Sequence, residues 1–199
     1  MADFKIKSTA GTGNKTLIQS QDQSGSSYAI QIGDAGATTL TNVTAGTIGT
    51  GVTKKIHAFS AYNSAEDCAI PTGTWTEASA TGTWVERFDS LTHYASGRFT
   101  PTVQGIYLCG YSVVFREMDA NEFVISSIRK NGVEAERYAW SEDRHAGTGS
   151  GYDMGLSGSA IIQLDTDDYV SLWTYHNEGA TQNLISVKTQ FWGTYIGTV

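Results

Sequence analysis

Beyond residue 53, apolar residues recur with a period of two, which predicts β-strands. The longest such stretch covers residues 105–115. One face of this predicted strand carries Tyr107, Cys109, Tyr111, Val113 and Phe115. The opposite face is also largely apolar, with Ile106, Leu108 and Val114. The pattern therefore predicts a strand that is covered by protein on both faces.

Two further stretches share this two-faced pattern. In residues 169–175, Tyr169, Trp173 and Tyr175 lie opposite Val170 and Leu172. In residues 184–196, Ile185, Val187, Phe191 and Tyr195 lie opposite Trp192 and Ile196. The chain offers no amphipathic helix that could cover the second face of these strands. We therefore expect one sheet to be buried by its sister sheet and by neighbouring subunits. The alternative is a single sandwich core with scattered exposed aromatic residues.

These patterns single out a set of large residues as candidates for either a subunit interface or the core. The set is Tyr107, Tyr111, Phe115, Tyr169, Trp173, Tyr175, Phe191 and Tyr195.

Turn signals support an all-β fold. Asn131-Gly132 lies between the predicted strands 123–129 and 133–140, which predicts a two-residue hairpin with positive φ at Gly132 and Asn131. Residues 165–168 and 177–179 separate later strands, and the polar, Gly-rich residues 141–151 predict an exposed loop. Together these signals predict an all-β, jelly-roll sandwich.

Residues 1–53 differ in character and are rich in Thr, Ser and Gly. Their short alternating stretches carry too little apolar surface for a core of their own. We predict an extended, strand-containing attachment arm here and a self-supporting head in residues 54–199. The predicted apolar contacts of the arm are Phe4, Ile6, Leu17, Ile30 and Ile32.

Composition narrows the classes of partner. The 199-residue chain has a formal net charge of −7, which argues against a nucleic-acid partner because phosphate binding needs clustered Lys and Arg. No apolar run approaches the roughly 20 residues that span a bilayer, so we expect no membrane partner. The N-terminal residues lack the order of a signal peptide, so a classical export route is not expected. Cys68 and Cys109 are expected to be free thiols packed as small hydrophobic residues.

Little in the sequence indicates catalysis. The four histidines show no metal-binding spacing, and no P-loop, dinucleotide or nucleophile motif is present. Residues 143–145 (Asp-Arg-His) are expected to be a solvated cluster, and Glu134 and Glu136 the wet edge of a hairpin strand. Asp165, Asp167 and Asp168 could offer oxygens to calcium, but an ordinary acidic turn is favoured. We therefore expect no enzyme activity, no catalytic residues, no metal site and no cofactor.

Residues 58–196 resemble the globular head of complement C1q, which shares its jelly roll with the tumour necrosis factor ligands. The matching pieces, in order, are residues 58–61, 88–89, Tyr94, 97–101, 105–107, 129–132, 157–164, 168–170 and 191–196. Asp167 departs from the family pattern, because the family usually has Gly at this position, directly before the residue that matches Asp168. The Gly-X-Y stalk of animal members is absent. The resemblance implies a homotrimer.

The N-terminal arm resembles, in composition, the attachment segments of bacteriophage virion proteins. This resemblance implies a homotrimeric capsid decoration or cement protein, made in the host cytoplasm and located in the virion. Its partners would be other copies of itself and a capsid protein. The alternative is a tail-fibre or adhesin tip that binds a receptor or a host-surface glycan. A hydrolase is disfavoured, because the chain offers no catalytic motif.

Overall fold

The computed structural model describes residues 56–198 of the chain. These residues form thirteen strands and one short 3-10 helix, Ala78–Ala80. In chain order the strands are β1 (Ala58–Asn63), β2 (Ala69–Ile70), β3 (Thr76–Glu77), β4 (Trp84–Asp89), β5 (Tyr94–Ala95), β6 (Arg98–Phe99), β7 (Gly105–Met118), β8 (Phe123–Lys130), β9 (Arg137–Arg144), β10 (Tyr152–Leu164), β11 (Val170–His176), β12 (Gln182–Asn183) and β13 (Gln190–Gly197). No helix in this part of the chain is long and apolar enough to cross a membrane.

Two antiparallel sheets carry the fold. The first sheet has the order β10-β7-β13-β1-β4, and the second has the order β5-β6-β11-β8-β9, with β3 also paired to β11. The longest pairing joins β7 to β10, from Gly105 opposite Leu164 to Met118 opposite Tyr152. The predicted all-β jelly-roll sandwich is therefore confirmed.

The core between the two sheets is built on aromatic rings. Phe59 of β1 lies 4.6 Å from Phe99 of β6 and 5.0 Å from Phe191 of β13, measured between ring centroids. Phe99 also meets the ring of Tyr107 edge to face. Because these rings come from both sheets, they join the two layers by burying large apolar surfaces.

Strand β7 confirms the predicted division of its faces. Tyr107, Tyr111 and Phe115 are buried in the core, whereas Ile106 and Leu108 on the opposite face are half-buried. The hydroxyl group of Tyr107 donates a hydrogen bond to the carbonyl of Val103, and the buried Tyr111 hydroxyl lies within hydrogen-bond distance of two backbone carbonyls. The hydroxyl groups of Tyr107 and Tyr111 are therefore both satisfied.

The predicted strand over residues 184–196 is too long at its start, because β13 begins only at Gln190. Ile185 is buried and its N–H donates to the carbonyl of Val114, so this segment lies against β7. The chain then turns at Val187, which is exposed and has a φ of 55°. The alternation of apolar and polar residues across 185–191 therefore spans a turn. Its likeness to a strand pattern is a coincidence.

The hairpin after β8 has the predicted turn but a later second strand. Asn131 and Gly132 have φ values of 53° and 70°, and the N–H of Val133 donates to the carbonyl of Lys130 at 3.0 Å. These values define a type I′ turn. A second turn follows, in which the N–H of Glu136 donates to the carbonyl of Val133. Strand β9 therefore begins at Arg137 rather than at residue 133.

The exposed loop predicted at residues 141–151 is also shorter than expected. Strand β9 continues to Arg144 and β10 begins at Tyr152. Phe123 and Val124 of β8 pair with Arg144 and Asp143. The polar residues at the end of β9 therefore belong to the edge strand of the second sheet. Only residues 145–151 remain as a loop.

Asp168 fastens the hairpin to the turn before β11. Its carboxylate accepts hydrogen bonds from the side chain of Asn131 at 2.7 Å and from the N–H of Asp165 at 2.8 Å. Lys130 Nζ lies 2.5 Å from the same carboxylate. Burial alone would raise the pKa of Asp168, but these hydrogen bonds and the Lys130 charge outweigh it and hold the pKa below its usual value.

Replacement of Gly132 by Val should lower the free energy of unfolding by about 1 kcal/mol or more, because a β-branched residue resists positive φ. Gly132→Asn is the matched control, since Asn tolerates the left-handed region. Thermal unfolding followed by circular dichroism measures both variants. An unchanged melting temperature for Gly132→Val would contradict the role of the turn.

Asp168→Asn should destabilise the protein by about 1–2 kcal/mol at pH 7, because charge-assisted hydrogen bonds are lost. The depressed pKa of Asp168 means that its ionised form stabilises the fold above about pH 4. This contribution disappears as the pH falls through the lowered pKa. In urea unfolding, the difference between the variant and the original protein should therefore shrink at acidic pH.

Asp167→Asn is the control for that measurement, because Asp167 is exposed in the same turn. Its unfolding free energy should follow that of the original protein at every pH. If the two variants showed the same pH dependence, the assigned role of Asp168 would be wrong.

Candidate interaction surfaces

The outer face of the first sheet is a continuous uncharged surface across its central strands. One row of this face runs through Phe88, Ser60, Trp192, Gly110 and Ser159, which are neighbours across β4, β1, β13, β7 and β10. The next row runs through Thr194, Leu108 and Ile161. We call these two rows the apolar face.

Large side chains on the apolar face are unusually exposed. Ile161 is 64% exposed and Phe88 is 53% exposed. A shallow cavity of about 650 Å³ opens between the strands there, and its lining includes Ile56, Phe88 and Trp192. An exposed apolar patch of this kind makes the face a candidate surface for association.

A glycine makes this face flat. The indole ring of Trp192 lies directly over Gly110, where an added Cβ would come within 2.2 Å of a ring carbon. Only glycine allows the indole to lie down on β7. The ring therefore covers the backbone of the neighbouring strand.

The outer face of the second sheet is different, because guanidinium groups lie on its aromatic rings. The Cζ of Arg129 lies 4.5 Å from the ring centroid of Trp75 and 4.4 Å from that of Trp173. The Cζ of Arg137 lies 4.6 Å from the ring centroid of Trp140, and the rings of Trp75 and Trp140 are 5.6 Å apart. We call these five residues the arginine–tryptophan cluster.

Arg129 is the buried centre of this cluster. It is only 4% exposed, and its Nε and Nη2 atoms have no hydrogen-bond partner among the described residues. Burial lowers its pKa, and the nearby charge of Arg137 acts in the same direction, while Glu134 opposes them. Arginine remains charged even so. The indole faces of Trp75 and Trp173 partly compensate the burial of this cation.

The candidate interface-or-core residues divide between two locations. Tyr107, Tyr111, Phe115 and Phe191 lie in the core, and Tyr195 packs against the edge of that core. Tyr169, Trp173 and Tyr175 lie half-buried on the second sheet, away from the apolar face. The ring of Tyr169 is covered by Arg98, and Tyr175 touches Trp75. The predicted contacts of the arm, from Phe4 to Ile32, lie outside the described residues.

Sequence reasoning missed several residues of both surfaces. Leu108 and Trp192 were visible as the second face of their strands, but Phe88 and Ile161 join them only through the strand order. Trp75 lies just before the two-residue strand β3, where no periodic pattern could place it. The signal available was the high content of tryptophan beyond residue 53.

Two histidines stack near the start of β1. The rings of His57 and His93 are 5.2 Å apart and nearly parallel, and Nδ1 of His57 lies 3.0 Å from Nε2 of His93. One nitrogen must donate and the other accept, so at least one of these facing atoms is unprotonated. Burial, reinforced by His57, lowers the pKa of His93, while Asp89 opposes the shift. Protonation of both facing nitrogens would break this hydrogen bond.

The other residues considered for catalysis or metal binding lie in ordinary structural surroundings. Cys68 and Cys109 are free and buried as predicted, and burial raises the pKa of each thiol to about 12. Glu134 and Glu136 are exposed, as expected for the wet edge of the hairpin, but they precede β9 and do not lie within a strand. The ring of His145 lies 4.3 Å from the ring of Tyr152 and is tilted by 33° against it. Within residues 56–198, no three His, Cys, Asp or Glu side chains are grouped as metal ligands.

Comparison with known proteins identifies the family. Residues 88–196 match the C1q domain family, so the chain belongs to that family. The match leaves out β1, which nevertheless pairs with β13 and β4 in the first sheet. Among curated proteins, none matches the sequence significantly.

Solved structures show the same fold. The Eiger tumour necrosis factor of S. frugiperda has a TM-score of 0.55 at 10% identity, covering 73% of this chain and 96% of that chain. The globular domain of zebrafish complement 1qA has a TM-score of 0.50 at 16% identity, covering 72% and 99%. Murine APRIL has a TM-score of 0.50 at 13% identity, covering 70% and 99%. These likenesses establish the C1q and tumour necrosis factor jelly roll.

Proposed function

We propose that this protein is a homotrimeric virion structural protein that decorates a bacteriophage capsid. Its jelly-roll heads associate through the apolar face, and the N-terminal arm anchors the trimer to a capsid protein. The heads project outward from the shell. The proposal has two separable parts, which are the association of the heads and the attachment of the arm.

The exposure of Ile161 and Phe88 beside Trp192 carries the first part. Each of these side chains would leave water in a subunit contact, and each fully buried large side chain is worth about 1.5–3 kcal/mol. Charges lie at the margins of the apolar face: Arg87 lies over Tyr62 on the β4 side, and toward the ends of the sheet Arg116 pairs with Glu66 and Lys188 pairs with Asp153. An uncharged centre with charged margins is the usual anatomy of a subunit interface. The family resemblance favours three copies.

The composition of residues 1–53 supports the second part. An extended strand rises about 3.3 Å per residue. An arm of this length that folds back into strands therefore reaches only a short distance from the head. Local reach suits attachment to a shell better than extension as a fibre. Short alternating segments also offer backbone donors and acceptors that a partner's sheet edge can pair.

A second candidate function is a receptor- or glycan-binding tip. The arginine–tryptophan cluster favours it, because the partly exposed rings and cations of that cluster lie on the second sheet, away from the apolar face. This function is compatible with a trimer and differs from decoration in its external ligand.

In solution, light scattering on the purified protein should report about three chains per particle. Ile161→Lys should dissociate this trimer, because an unpaired ammonium group is costly to bury. Val133→Lys is the control, since Val133 is exposed in the hairpin, away from the apolar face. A monomer at micromolar concentration, or an Ile161→Lys trimer as stable as the control, would overturn association through this face.

Deletion of residues 1–53 should leave a head with β-rich circular dichroism and cooperative melting, because the head contains nearly all large aromatic residues. The truncated protein should remain trimeric and should lose binding to capsids. Phe4→Ser combined with Ile6→Ser in the full chain gives a milder version of the same loss. Truncated protein that binds capsids as tightly as the full chain refutes the anchor, and truncated protein that fails to fold refutes the boundary.

A further inference from the structure

The arginine–tryptophan cluster holds two cations side by side on the second sheet. Arg129 of β8 and Arg137 of β9 are directly opposite one another in the register. Like charges at such positions are destabilising. Among the described residues, the only salt bridge to either guanidinium joins Glu134 to Arg137 at 3.5 Å, and Glu134 is itself exposed. The positive charge of the pair is therefore only partly compensated by the protein.

The surroundings make this positive charge unusual. Residues 56–198 carry eight Lys and Arg residues but 17 Asp and Glu residues. Four of the other basic residues, Arg98, Arg116, Lys130 and Lys188, are paired with carboxylates. An acidic head repels a long polyanion. It can still hold one anionic group at a local pair of guanidinium groups.

Flat apolar surface lies next to these cations. Trp140 is 46% exposed although Arg137 covers part of its ring, and Trp75 beside it is half-buried. Arg129 is fixed between Trp75 and Trp173, so this part of the cluster loses little side-chain freedom when a ligand binds. The apolar C–H face of a sugar ring packs on an exposed indole face, and guanidinium groups donate hydrogen bonds to a carboxylate.

We propose that the arginine–tryptophan cluster binds a glycan through a single acidic sugar whose carboxylate pairs with the exposed guanidinium of Arg137, next to the buried charge of Arg129, and whose ring stacks on Trp140. This proposal rests on the second candidate function, and it names the class of ligand. An acidic peptide offers the carboxylate without the flat C–H face. A single acid on an otherwise neutral saccharide can pair with the local positive charge. It also avoids the repulsion that the acidic head would exert on a ligand with many negative charges.

Titration calorimetry and tryptophan emission on the full-length protein test the site. The probes are aldotriouronic acid, which carries one uronic acid on a neutral saccharide, and its methyl ester, which keeps the shape and removes the charge. We expect the acid to bind and the ester to bind about tenfold more weakly or worse. Triglutamate serves as the peptide probe and should bind no better than the ester.

Variants of exposed residues locate the binding. Arg137→Gln and Trp140→Ala should each weaken binding of the acid by about tenfold. Glu134→Gln should strengthen it, because Glu134 competes for Arg137. Arg87→Gln is the matched control: Arg87 lies over the ring of Tyr62 at 4.7 Å, in the same stacking arrangement but on β4 of the first sheet. It should leave binding unchanged.

The possible failures are distinct. No heat and no change of emission up to about 10 mM acid overturns the proposal, as does equal binding of the ester. Tight binding of triglutamate in place of the saccharide overturns the ligand class. An equal loss in Arg87→Gln and Arg137→Gln overturns the location. Each variant's light scattering reports the trimer separately, so failure of association through the apolar face is recognised independently of failure at the cluster.

Discussion

The structure depends on a strand that is apolar on both faces. On one side of β7, Tyr107 and Phe115 are buried against the second sheet. On the other side, Leu108 is half-buried among its neighbours in the first sheet. Because the described chain contains no α-helix, neither face can be covered by the usual helical layer. Because β7 pairs with β10 and β13, apolar side chains of those strands lie beside Leu108 on the same outward face. Trp192 and Ile161 therefore also face outward.

The two sheets treat exposed aromatic surface in different physical ways. On the first sheet, Trp192 lies flat over Gly110 and its surroundings are uncharged, which keeps the desolvation cost of an association low. On the second sheet, Arg129 and Arg137 lie over the indoles and remain charged. A surface of that kind is costly to bury against another apolar surface. It is suited to a ligand that carries its own charge, so the two faces favour different partners.

The Asn131-Gly132 dipeptide predicted its turn, and period-two patterns predicted the longer strands such as β7 and β11 together with their core faces. These patterns failed where apolar and polar residues still alternate but the backbone is no longer paired as a strand. Val187 is an example, because its positive φ forms a turn before β13. The patterns also could not place Phe88 in the same row as Trp192, because that row depends on β1 lying between β4 and β13. Arg129 looked like an ordinary strand residue, since its burial depends on Trp75, more than 50 positions away in the chain.

One extra residue in β9 creates the exposed half of the arginine–tryptophan cluster. Ile128 pairs with Tyr138 and Ser126 pairs with Ser141, so Ala139 and Trp140 together oppose a single residue of β8. Ala139 adopts a φ of 53°, which accommodates this bulge. Without the bulge, strict alternation from Arg137 would direct Trp140 toward the core. The bulge instead brings the indole to the surface under the Arg137 guanidinium, so a local backbone irregularity determines which side chains of the cluster are exposed.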